Sequence, residues 1–103
     1  ERFVDDITDI IESEMDIIID RNSFSYSRFV THLKFLLKRS ERLNEAESEN
    51  VKLYESVCEE FPELKKIGDK IKDYIIATLH IEPAKEEILY LMIHINRLCA
   101  RDG

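Results

Sequence analysis

The side chains in this 103-residue sequence that could do chemistry are three histidines and the arginines spaced around two of them. His32 stands one helical turn from Phe29 and Leu36, and His94 one turn from Tyr90, Leu91 and Leu98. Both spacings put an imidazole at the seam between an apolar stripe and solvent. His80 falls at a helix end beside Pro83 and reads as a surface residue, where a cation suits the helix dipole. Each seam histidine has an arginine on its own face. Arg39 follows His32 by seven residues, Arg97 follows His94 by three, and Glu87 precedes His94 by seven. A neutral imidazole nitrogen is a nucleophile near pH 7. A guanidinium holds phosphate oxygens through a two-pronged hydrogen bond. Histidine with arginine at these spacings points to a site that accepts a phosphoryl group. The plainer alternative is a pair of satisfied seam histidines beside solvated arginines, and spacing leaves both open.

Other chemistries find less support. No two histidines are four residues apart, and none follows a Glu or Asp by three, so the helical metal-carboxylate pattern is missing and no metal is expected. No glycine-rich phosphate loop and no nucleophile-histidine motif occurs, so neither an enzyme nor a cofactor is expected. Cys58 and Cys99 lack CxxC spacing and read as free thiols in a reducing compartment, at apolar helical positions. The net charge is -7, from 15 basic and 22 acidic residues. A bare nucleic-acid binder usually carries the opposite sign, as does a polybasic membrane anchor. The basic residues Arg28, Lys34 and Lys38 with Tyr26 offer a local nucleic-acid face, outweighed by that whole-chain charge.

The elements that must position these residues are helices. Hydrophobic residues make up 44% and charged residues 36%, which suits one globular domain over residues 1–103. Two glycines and two prolines are too few for a β-sandwich or barrel. No apolar run reaches the roughly 20 residues of a membrane span, so no membrane insertion is expected. Five amphipathic segments fit: Phe3–Ile19, Tyr26–Leu43, Glu49–Phe61, Glu63–Leu79 and Ala84–Arg101. The first carries Phe3, Ile7, Ile10, Ile11, Met15 and Ile18 on one stripe, and Asn22 and Ser23 break it. Ser25 is the expected N-cap of the second, whose stripe is Phe29, Val30, Leu33, Leu36 and Leu37. The polar stretch from Asn44 to Asn50 reads as a loop. Gly68, inside the fourth segment, predicts a close helix crossing. Pro83 is expected at or near the first position of the fifth. That segment's wide stripe predicts burial against the bundle and against a second subunit. Short connections predict a compact all-α, five-helix bundle with mostly antiparallel neighbours. The opening Glu1-Arg2-Phe3, with no initiating Met, has the look of a piece of something longer.

At the two seam histidines the sequence resembles a known family. The segment Tyr26-Ser-Arg-Phe-Val-Thr-His-Leu-Lys-Phe-Leu-Leu-Lys-Arg39 is similar to the first-histidine helix of the PTS regulation domain, or PRD. The segment from Glu86 to Leu98 is similar to its second-histidine helix: an acidic residue, a Tyr-Leu pair, then His-Ile-x-Arg, matched by Glu87, Tyr90, Leu91, His94, Ile95 and Arg97. The Thr-His-Leu-Lys-Phe form resembles the second of the two tandem copies usual in the family. The resemblance implies an all-helical homodimer in a cytoplasmic, bacterial BglG/LicT-type transcriptional antiterminator for sugar-use genes. A DNA-binding activator is the alternative parent, and a purely structural dimerisation bundle the alternative role. It implies phosphorylation of His32 and His94 by the phosphocarrier protein or a sugar permease of the phosphotransferase system. Arg39 and Arg97 would steady the phosphate, with Glu87 and Tyr90 in support. RNA would be bound only by a separate N-terminal domain.

Overall fold

A computed structural model describes residues 2–40 and 50–102, leaving aside the side chains of residues 37, 39, 40, 50, 101 and 102. Five helices account for nearly all of it, with no strand among the described residues: α1 Arg2–Met15, α2 Phe24–Ser40, α3 Asn50–Glu60, α4 Pro62–Leu79 and α5 Lys85–Asp102. The expected end of the second segment at Leu43, the loop from Asn44 and the expected start at Glu49 lie outside the described residues.

The first helix stops four residues earlier than its stripe predicts. Asp16 adopts a left-handed backbone (φ 55°), and the Ile17 N–H reaches back to the Glu12 carbonyl at 3.2 Å. This is the 6→1 bond of a Schellman C-cap, with Asp at the position that glycine usually takes. The β-branched run Ile17-Ile18-Ile19 then leaves the helix, where its side chains are less crowded. Ile19 turns into the core while Ile18 is 85% exposed, so the expected core role of Ile18 belongs to its neighbour. The Ile19 N–H donates to Glu12 Oε2 at 2.8 Å, and Arg21 pairs with Asp5, Asp9 and Glu12, tying the connection to α1.

The expected cap at Ser25 is a residue pair too late. Ser23 Oγ accepts the Tyr26 N–H at 3.1 Å, so Ser23 caps α2 and Phe24 opens it. The fifth helix likewise starts after Ala84, whose carbonyl accepts from Glu87 and Ile88, with Pro83 buried just ahead of it. His80 is exposed and ends α4 in a left-handed conformation (φ 59°), its N–H bonded to the Ile76 carbonyl at 2.9 Å.

The core joins Ile7 and Ile11 of α1, Phe29, Leu33 and Leu36 of α2, Ile67, Ile71 and Ile75 of α4, and Leu91, Met92, Ile95 and Leu98 of α5. The central element is α5, which packs against α2, α3 and α4, while α1 packs against α4. Sequential neighbours pack at α3–α4 and α4–α5; α2 instead crosses to α5. Gly68 is the close crossing expected of it: a Cβ there would lie 3.2 Å from Met92 Sδ and 3.3 Å from Ile88 Cγ2. Two polar residues among the described ones are buried with the apolar ones, Thr8 on α1 and Glu87 on α5. Thr8 Oγ1 donates to the Val4 carbonyl at 2.8 Å, which makes the Tyr26 hydroxyl, 3.0 Å away, the donor to Thr8. That bond ties the middle of α1 to the first turn of α2. Neither cysteine is in a disulfide.

Candidate functional site

The α2–α5 contact brings together the two histidines that lie 62 positions apart in sequence. Their ring centroids are 4.4 Å apart, with the planes tilted by 34°. Both rings are half-buried, and His32 Nε2 is buried. Tyr90 meets the His32 ring edge-on, with centroids 5.9 Å apart and planes at 85°. Glu87 is buried on α5, two turns before His94 on the same face. The pairing follows from register: Phe29, Leu33 and Leu36 on α2, and Leu91, Ile95 and Leu98 on α5, bury one stripe against another. The residues beside those stripes, His32 and His94, must then meet along the seam.

Two adjoining hollows open on the pair. One, of about 270 Å³, is lined by Phe24, Ser25, Arg28, His94, Arg97 and Leu98. The other, of about 280 Å³, is lined by Ser27, Arg28, Thr31, His32, Phe35 and His94. Arg97 therefore sits where its spacing from His94 predicts. Arg39 belongs to α2, but its side chain lies outside the described residues. Spacing passed over Arg28, which borders both hollows. The signal was present, since Arg28 precedes His32 by four residues and so shares its face. By residue type alone Arg28 groups instead with Tyr26, Lys34 and Lys38 as a local nucleic-acid face, which the whole-chain charge outweighs.

The electrostatics single out the same place. Of the four arginines whose side chains are described, Arg2 pairs with Asp6, and Arg21 with three carboxylates. Arg28 and Arg97 have no carboxylate partner among the described residues, in a chain with 22 acidic side chains. The Arg28 guanidinium instead lies 5.8 Å from the Phe24 ring centroid. Burial, then the charges of Arg97 and Arg28, hold the pKa of His94 below the ordinary imidazole value. The ring is thus neutral at pH 7, with a lone pair available to an electrophile. Two arginines without acidic partners, facing a neutral ring, make a place where an added dianion would be stabilised. No cluster of His, Cys, Asp and Glu that could hold a metal occurs among the described residues. None of their helices is long and apolar enough to cross a membrane.

The chain resembles known proteins along nearly all of its length. It is 33% identical over 97 residues to a beta-glucoside operon antiterminator of Dickeya chrysanthemi, covering 94% of this chain and 34% of that protein. It is 32% identical over 97 residues to the transcription antiterminator LicT of Bacillus subtilis, covering 94% of this chain and 35% of LicT. Protein GlcT of Staphylococcus aureus is 28% identical over 88 residues, covering 85% of this chain and 31% of GlcT. The chain thus spans about a third of the length of these relatives. The PRD domain family profile matches residues 5–98, and the chain belongs to that family.

Proposed function

We propose that residues 1–103 form one regulatory domain of a bacterial transcriptional antiterminator, a phosphoryl acceptor rather than an enzyme, with His32 and His94 as acceptors. The observation that carries this reading is the ring pair at 4.4 Å, bordered by two arginines without acidic partners among the described residues. The donors are the phosphocarrier protein or a sugar permease of the phosphotransferase system, acting in the cytoplasm. An imidazole nitrogen of the acceptor attacks the phosphorus of the donor's phosphohistidine in line. A new N–P bond forms as the donor's N–P bond breaks. The ring proton that the acceptor gives up is balanced by the proton that the departing ring takes on. Such transfer needs positioning and charge stabilisation more than covalent chemistry from the protein.

Each phosphoryl group adds roughly -1.5 to -2 charges at the α2–α5 seam. The buried His32 Nε2 opens only if the packing there shifts, so modification at that nitrogen couples to helix position. In the proposed homodimer, that shift and the new charge bias two packing states, and a separate N-terminal domain passes the result to RNA. Moving such an equilibrium from 1:99 to 99:1 takes about 5.5 kcal/mol. One or two charge-assisted hydrogen bonds, at about 1.5–3 kcal/mol each, supply a good part of it.

Sedimentation velocity before and after treatment with phosphoenolpyruvate and the phosphotransferase enzymes tests the switch. The treated chain should change association or shape, and a chain with both His32→Ala and His94→Ala should not. An unchanged profile for fully modified protein would favour a purely structural dimerisation module.

A further inference from the structure

We propose that Arg28 is the phosphate-holding residue common to both acceptors, so that one guanidinium serves a phosphoryl group on His32 or on His94. This rests on the acceptor reading above and adds a residue that the histidine spacing did not yield. Arg28 lines both hollows, whereas Arg97 lines only the one that His32 does not reach. It stands one turn before His32 on α2, and its charge is felt by His94 on α5. The Phe24 ring, 77% exposed, lies 5.8 Å from the guanidinium carbon. That contact explains why an apolar ring is left in water at the start of α2: it steadies the cation over the mouth of the site. A guanidinium has five N–H donors in a planar fork, enough to address an anion on either side. Arg21 shows the contrasting case, since three carboxylates already occupy it.

The test uses a donor too small to need a docking surface, potassium phosphoramidate. Its P–N bond breaks, ammonia leaves, and an N–P bond forms to the histidine. His94→Ala and His32→Ala chains each leave one seam acceptor, whose labelling is followed by ³¹P NMR. Adding Arg28→Gln should slow labelling about tenfold in both backgrounds, the scale of one charge-assisted hydrogen bond. Adding Arg97→Gln should slow it only where His94 is the acceptor. Arg28→Lys should recover part of the rate, keeping charge but losing the fork. Thermal unfolding should be unchanged, because Arg28 is exposed. The His94 titration followed by ¹H NMR should move up in Arg28→Gln and stay in place in Arg28→Lys. Wild-type rates in Arg28→Gln, or slowing at one acceptor alone, overturns the shared role while leaving the acceptor reading intact. No label on either histidine in the parent chains overturns both.

Discussion

His94 is where the physical chemistry of the site is most open to measurement. Its pKa is depressed by burial and by the Arg97 and Arg28 charges. Below the ordinary imidazole pKa of about 6.5, the unfolded chain takes up a proton that the folded ring refuses. Stability linked to His94 is therefore complete above that pH and declines as pH falls toward the folded value. Replacing His94 by Gln should flatten the urea-unfolding free energy between pH 7 and pH 5 relative to wild type. Equal slopes in the two proteins would contradict the depressed pKa. The site was partly legible from residue types. His32, His94 and Arg97 stood out because a seam histidine and an arginine on its face are readable from helical period. Arg28 shares the face of His32 by the same period, but its spacing does not mark it as an arginine that finds no carboxylate among the described residues. That depends on which acidic residues the fold brings near, and α1 supplies its own to Arg21 instead.

At the scale of elements, stripes of apolar residues revealed all five helices, while their ends depended on single hydrogen bonds. The period of α1 continues through Ile18, but the chain departs at Asp16, since the cap bond from Ile17 to Glu12 wins over continued helix. Similarly, Ser23 and Ser25 are equally good N-caps by type, and only the backbone path selects Ser23. Among the described residues, two left-handed positions are held by residues other than glycine, Asp16 and His80. Asp16→Gly and His80→Gly should each relieve strain and stabilise the fold by about 1 kcal/mol. The two changes should add, as shown by thermal melts of the single and double variants; unchanged melting would contradict the strain argument. At the α4–α5 crossing the effect is reversed. Gly68→Leu must displace the buried Met92 and Ile88, whose atoms stand 3.2 and 3.3 Å from where a Cβ would be. A loss of about 1–3 kcal/mol in chemical denaturation is expected. A leucine accepted without loss would show that this crossing is looser than its distances imply.

For the molecule as a whole, bundle architecture followed from length, composition and helical period, but the choice of helix partners did not. Sequence order suggests that α2 packs beside α1 and α3, whereas its main partner is α5. The eight-residue connection from Asp16 to Ser23, pinned by Arg21 and Glu12, sets the path that takes α2 there. That long-range choice makes the site, because it brings His32 to His94. It also puts His94 on the helix that touches α2, α3 and α4, so that charge added there bears on several packing surfaces at once. The most direct measurement is a phosphorus label mapped by residue. After incubation with phosphoenolpyruvate and the phosphotransferase enzymes, acid-labile phosphate should appear on His32 and His94 and vanish when both are replaced by alanine. Label that persists in the double variant, or that resides on His80, would contradict the account.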